Sequence, residues 1–264
     1  MATKKKDMEL KNKTTPSVDY STKHYMDNGW INIKNFFTKK EVSLVRKKIN
    51  YSLRLNYKKY KGRDINFIGD GKKFSHINTF HKLHDFKFIK KMAHEKRIKN
   101  TVQSLLRANK LELRASELFA KPKNCGLKVP IHQDNFYWNV VGGKALTIWI
   151  ALSPSSKKNG GIFYYNNSHK KGVLPHAPSF AKGSSQTIKN KTFLKKFKIV
   201  YPKLNIGDAL IHSCLIVHGS HKNNSDMSRK GFTFQFKTKK SKYDFSKIKK
   251  YEKKLQEQID LREK

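Results

Sequence analysis

From Leu111 onward, short apolar runs alternate with Gly, Asn and Pro punctuation, the pattern of a β-rich domain. Leu113 to Lys121, Val129 to Asp134, Ala145 to Leu152, Gly161 to Asn166, Phe197 to Tyr201, Asp208 to His218 and Gly231 to Lys237 read as strands. No helical stretch alternates with them as a βαβ unit would require. The expected fold class is therefore mainly β with flanking helices, its two sheets closing as a jelly roll. Trp149, inside an apolar strand, belongs to the core.

The first part of the chain carries helical spacing instead. A short helix over Val18 to Asn28 stops at Gly29, Trp30 to Ile33 alternates as a strand, and Thr38 with Glu41 forms a capping box. Val42, Val45 and Ile49 make the apolar face of the helix that follows. Phe74 to Phe80 is a strand near the site mouth, and Phe86 to Leu106 is one helix, or two broken near Glu95. Between Lys170 and Thr192 the chain turns irregular, which points to a loop acting as a substrate lid, with His176 and Gln186 as contacts. The domain organisation expected is a flexible basic tail over 1–17, a helical support over 18–110, a β core over 111–238 and a basic helical extension over 239–264. In that extension Phe245, Ile248, Tyr251, Leu255 and Ile259 form a stripe.

The candidate chemistry sits in two of the strands. His132 and Asp134 stand two positions apart, so on a strand both side chains point to one side. The apolar run after Asp208 ends on His218. A His, an Asp and a distant His that leave coordination positions open suit a non-haem Fe(II) centre. Gly219 to Asp226 reads as a turn, after which Arg229 opens another strand. A hairpin between these strands returns Arg229 to the neighbourhood of His218, where a guanidinium can grip a carboxylate through two parallel hydrogen bonds. His76, His81 and His84 read as surface or packing histidines, not as a second metal site.

On these residues the sequence resembles the phytanoyl-CoA dioxygenase (PhyH) family of Fe(II)/2-oxoglutarate oxygenases, which includes ectoine-hydroxylase-like members. The resemblance covers about residues 18 to 238 and implies a double-stranded β-helix of the cupin type. It implies that His132, Asp134 and His218 hold Fe(II). Arg229, eleven positions after His218, matches the arginine that binds the far carboxylate of 2-oxoglutarate, with Ser220 and Lys121 beside the co-substrate. Trp138 resembles an aromatic next to substrate, and Gln133 and His176 complete the candidate substrate contacts. Asn167-Ser168-His169-Lys170 looks like a family segment whose first residue is glycine, so Asn167 departs from the pattern. The implied activity is hydroxylation of a small anionic or zwitterionic metabolite with O2, releasing succinate and CO2. Relatives that halogenate carry a small residue in place of Asp134, so its carboxylate implies hydroxylation.

The 264 residues carry a formal net charge of +39, which attracts nucleic acid, anionic lipid or acidic metabolites. Lysines far outnumber arginines and spread along the whole chain among asparagines and isoleucines, as an AT-biased coding sequence produces. Readers of nucleic-acid bases rely on arginine, so the charge reads first as compositional. The contrasting reading is a basic nucleic-acid-binding protein on an inactive oxygenase scaffold. Cys125 and Cys214 stand far apart, which excludes a zinc ribbon or a disulfide framework. With no signal-peptide pattern and no membrane helix, the chain is expected to be cytoplasmic.

Overall fold

The computed structural model describes residues 18–69, 72–181 and 184–263; the tail expected over 1–17 lies outside them. The chain opens with α1 (Val18–Asn28), β1 (Trp30–Ile33) and α2 (Lys39–Asn56). The capping box at α2 is formed: the Glu41 amide donates to the Thr38 hydroxyl at 3.2 Å, and the Thr38 amide to the Glu41 carboxylate at 2.7 Å. β2 (Ile65–Phe67), β3 (Ile77–Phe80), α3 (Lys87–Ala93) and α4 (Lys96–Leu106) follow. The stretch Phe86 to Leu106 is thus two helices, broken at His94 and Glu95.

The β core holds β4 (Leu111–Ala115), β5 (Leu118–Lys121), β6 (Val129–His132), the short helix α5 (Asp134–Trp138), β7 (Ala145–Ala151) and β8 (Ile162–Tyr165). It continues through β9 (His176–Ala181), β10 (Ser184–Ile188), β11 (Ile199–Val200), β12 (Ala209–Ser213), β13 (His218–Ser220) and β14 (Arg229–Thr238), and α6 (Phe245–Glu263) comes last. The larger sheet runs β1-β12-β7-β14-β5-β3-β2, with β4 also on β14, and the smaller runs β11-β8-β13-β6. Together they make a double-stranded β-helix. One face of the larger sheet takes Ile148, Ile150, Phe232 and Phe234 into a core with Ile49 and Leu53 of α2 and Ile98 and Val102 of α4. The alternate residues Trp149 and Leu210 point the other way and pack with Tyr164 of the smaller sheet. Burial on both faces is why β7 is apolar along nearly its whole length.

Three expectations change. Asp208 to His218 is two strands, because the chain turns at Cys214 to Val217 and crosses from the larger sheet to the smaller. Leu113 to Lys121 divides at Ser116 and Glu117, where the Thr233 amide bonds the Glu117 carbonyl at 2.8 Å and β14 changes partner from β5 to β4. The stretch from Lys170 to Thr192 is not irregular but is built around the hairpin β9–β10; Pro175 and Pro178 hide its alternation in the sequence. Among the described residues no helix is long and apolar enough to cross a membrane.

Gly231 in β14 lies under the Trp149 ring, and a Cβ there would meet ring carbon at 2.0 Å. Gly231→Ala is expected to destabilise the fold by about 1–3 kcal/mol through overpacking, read as a lower urea midpoint at unchanged slope.

Candidate active site

β6 is an edge strand of the smaller sheet, and Pro130 sits where its pairing with β13 shifts register between Val129 and His132, a place where a residue without an amide is tolerated. The strand ends at His132, whose direct cross-strand partner on β13 is His218, and the two rings lie 4.3 Å apart. His132 Nδ1 bonds the Pro130 carbonyl at 2.8 Å, and His218 Nδ1 bonds the Ile216 carbonyl at 3.0 Å. A carbonyl only accepts, so each Nδ1 carries the proton and each Nε2 keeps a free lone pair.

Asp134 is not on the strand. Gln133 turns the chain into α5, and Asp134 is the first residue of that helix. The turn, and not strand parity, brings it to the histidines, with Oδ1 3.6 Å from Nε2 of both His132 and His218. These three are the one group among the described residues whose ligand atoms lie close enough, within 4.8 Å of one another, to hold a metal ion.

The second carboxylate oxygen is engaged elsewhere. Thr147 donates its hydroxyl to Oδ2 at 2.8 Å, and His212 Nε2 lies 3.2 Å from the same oxygen. Tyr164 bonds His212 Nδ1 at 2.8 Å, so the phenol donates to Nδ1 while Nε2 donates to the carboxylate. Thr147 and His212 are cross-strand partners on β7 and β12. Sequence reasoning passed over both. Their only signal was a polar residue inside each of two apolar runs, which in a buried strand calls for a partner.

Burial pushes the Asp134 carboxyl up, but His218, His132 and His212 outweigh it and hold the group well below the usual carboxylate range. Burial and the neighbouring His132 push His218 down to about 3, against the pull of Asp134. A carboxylate beside a neutral His218 is the protonation state that a divalent cation requires.

Arg229 opens β14 in the larger sheet, so it forms no hairpin with β13, contrary to expectation. It reaches across to the smaller sheet, where its guanidinium donates to the Gly160 carbonyl at 2.9 Å. Two residues further on, Ile162 is the cross-strand partner of Ser220. Lys121 is the cross-strand partner of Arg229, and its ammonium donates to the His221 carbonyl. Arg229, Lys121 and Ser220 are all buried. Burial pushes Arg229 down to about 10, and burial together with Arg229 pushes Lys121 down to about 6. Like charges facing each other across a ladder repel. Arg229 Nε is also buried without a hydrogen-bond partner. A buried guanidinium facing a buried amine, with an orphaned N–H, fits a bound anion.

A cavity of about 1370 Å³ is lined by His132 and Asp134 of the metal-binding candidates, and Trp138 is among its other lining residues. Gln133 and His176 are not, which corrects both as substrate contacts. Gln133 is fully buried, donating to the carbonyls of Gly172 at 2.8 Å and Leu215 at 2.5 Å and accepting from the Leu174 amide at 2.7 Å. As the residue between His132 and Asp134, it points away from them. His176 Nε2 accepts the Gln133 amide at 3.1 Å, and its ring stacks 4.1 Å from Phe136. Gln186 is likewise buried off the cavity. His81 pairs with Glu117 at 2.8 Å. Asn167 adopts φ 66°, a left-handed conformation that asparagine tolerates better than most residues, which explains how it stands in the glycine position.

The chain belongs to the phytanoyl-CoA dioxygenase (PhyH) family, whose model matches residues 25–231. It is 28% identical over 160 residues to phytanoyl-CoA dioxygenase domain-containing protein 1 of Danio rerio, covering 58% of this chain and 54% of that protein. A homolog of that protein in Dictyostelium discoideum is 25% identical over 250 residues, covering 80% of this chain and 88% of its own length. The chain spans about half the length of the vertebrate relatives it matches, at 54% and 51% for the Danio rerio and Mus musculus proteins. Among solved structures, EctD from S. alaskensis with bound Fe is similar with a TM-score of 0.69 at 19% identity, over 87% of this chain and 79% of that one. The non-heme alpha ketoglutarate dependent carbocyclase SnoK from nogalamycin biosynthesis gives 0.68 at 17%, over 88% and 89%. At these identities the likeness establishes the fold.

Two outcomes follow from the geometry. His212→Leu and Thr147→Val release the second oxygen of Asp134, and each is expected to weaken Co(II) binding by roughly 10- to 100-fold in a calorimetric titration, with the fold intact by circular dichroism. Lys121, held near 6 in the fold against an ordinary 10.5, binds fewer protons folded than unfolded between those values, so it costs stability there. Lys121→Met is expected to raise stability by about 2–4 kcal/mol at pH 7. The gain should be greatest at pH 6 and below and should fade as pH approaches 10, measured by urea unfolding across that range.

Proposed function

We propose that the protein is an Fe(II)- and 2-oxoglutarate-dependent dioxygenase that hydroxylates a C–H bond of a small molecule. The observation that carries this reading is the convergence of two imidazole Nε2 atoms and one carboxylate oxygen, each oriented by a hydrogen bond on its far side. His132, Asp134 and His218 would hold Fe(II), the set and stoichiometry of ligands that leaves positions open for co-substrate and oxygen. Arg229, with Ser220 and Lys121 nearby, would hold the far carboxylate of 2-oxoglutarate, which its buried and partly unsatisfied guanidinium fits. When bound, the iron and keto acid supply the oxygen chemistry, with the acid leaving as succinate and CO2.

The chain's own part is positional. The carbonyls of Pro130 and Ile216 keep the two histidines in the ligating tautomer, and Thr147 and His212 turn Asp134 so that one oxygen faces them. His132 and His218 are buried, which keeps bulk water off the centre and strengthens each electrostatic contact within it. A substrate would enter from the cavity side, where Trp138 lies beside Asp134 on the same helix.

Anaerobic addition of Fe(II) and 2-oxoglutarate is expected to produce a weak visible charge-transfer band that His132→Ala abolishes. Arg229→Met should require at least about tenfold more 2-oxoglutarate for the same band, given the loss of a buried bidentate ion contact. Identical spectra from the wild type and His132→Ala would remove the metal assignment.

A further inference from the structure

The rest of the cavity wall divides into an apolar side and a cationic floor. The apolar side is α6, which lies beyond the segment matched by the family model. Ile248, Tyr251, Leu255 and Ile259 recur at helical spacing and all line the cavity. Tyr251 fastens the helix, with its hydroxyl 3.0 Å from Ser185 Oγ on β10 and its ring 5.4 Å from that of Tyr137. Arg63 and Glu252, at 3.6 Å, tie it to the helical support.

The floor is cationic at Arg114 of β4, which lines the same cavity as His132, Asp134 and Trp138. Its guanidinium lies 4.6 Å from the Trp138 ring and donates to Gln235 Oε1 at 2.6 Å. The acid that acts on it most strongly is already engaged: Glu117 accepts from the Gln235 amide at 2.6 Å through one oxygen and contacts His81 at 2.8 Å through the other. Among the described residues no carboxylate forms an ion pair with Arg114. Trp138 lies one helical turn from Asp134 on α5, about 6 Å along the axis, so a group bound at Arg114 is within a short molecule's reach of the three metal-binding candidates. The cavity, at about 1370 Å³, also exceeds the roughly 300–1,000 Å³ usual for small-molecule sites, which leaves room for more than a compact metabolite.

We propose that this cavity binds an organic acid with an apolar body, Arg114 taking the acid group and Ile248, Tyr251 and Leu255 of α6 packing the body. Calling that acid the substrate rests on the oxygenase reading; its binding does not. A guanidinium with free N–H groups forms charge-assisted hydrogen bonds to a carboxylate that a neutral isostere cannot replace. The apolar face of α6 supplies the burial. Arg114 and Leu255 are then the residues that determine which acid is accepted.

The test is calorimetric titration of the metal-free chain with 2-naphthoate and with its neutral counterpart 2-naphthalenemethanol, with 2-oxoglutarate in excess to fill the neighbouring anion site. Naphthoate is expected to bind once per chain and at least tenfold more tightly than the alcohol. Arg114→Met should erase that preference, Arg114→Lys should retain part of it, and Leu255→Asp should weaken both ligands. Arg229→Met should leave the preference unchanged. Circular dichroism and melting of each variant separate lost contacts from a lost fold. An Arg114→Met variant that still prefers the acid, a folded Leu255→Asp variant with wild-type affinity, or a preference that disappears with Arg229 would each overturn the proposal. If the naphthoate pattern holds while no charge-transfer band forms with Fe(II) and 2-oxoglutarate, the acid site stands and the oxygenase reading falls.

Discussion

The register between β6 and β13 is the constraint on which the site depends, because it sets His132 directly opposite His218. Side chains alternate along a strand, so a slip of one residue would turn one imidazole to the other face of the smaller sheet. Close packing holds the register. β13 lies between β6 and β8, and a Cβ on Gly219 would meet the Phe163 ring at 3.0 Å and the Val129 carbonyl at 3.1 Å. The carbonyls that fix both tautomers belong to residues two positions before each histidine, so the backbone that places the rings also orients them. Asp134 then needs only the turn at Gln133, which the three hydrogen bonds of the Gln133 amide hold in place.

Around this centre the fold places buried polar groups in two contrasting ways. On the Asp134 side, Thr147, His212 and Tyr164 form a chain of hydrogen bonds that fixes one carboxylate oxygen and leaves the other facing the two histidines. The Arg229 side is underpartnered, with a guanidinium facing the Lys121 amine and an unbonded Nε. A folded domain tolerates such a cost only where its surroundings over-determine the arrangement, and here the larger sheet does so, since β14 is paired along its length by β7, β5 and β4. The same strand carries Gly231, which admits Trp149 against the backbone and so allows the Arg229 guanidinium to sit 5.4 Å from that ring.

The sequence was most informative where residue type alone limits the chemistry. His132, Asp134 and His218 could be singled out because a histidine–carboxylate pair and a later histidine at the end of an apolar run form a metal-ligand pattern that matches the family resemblance, and Arg229 because its spacing from His218 matches that family too. The routes by which they meet were misread. Asp134 arrives by a helix start and not by strand parity, and Arg229 stands on the opposite sheet bonded to the Gly160 carbonyl and not in a hairpin with β13. Gln133 and His176 had the right polarity for a substrate contact, but polarity does not say which way a side chain points, and both brace the turn behind the site. His212 and Thr147 gave only the weak signal of a polar residue in an apolar run and Arg114 gave none, because each gains its role from a partner that is not a neighbour in the chain.

By itself, then, the sequence determined the β-rich fold class, the capped helix at Thr38 and the identity of the central acid and bases, all properties written in short-range periodicity and side-chain chemistry. Tertiary structure decided which oxygen of Asp134 is free, which basic side chains face each other without an acid, and which apolar stripe covers the cavity. Those outcomes depend on strand register and on contacts between residues far apart in the chain, and a local pattern of hydrophobic and polar positions carries no record of either.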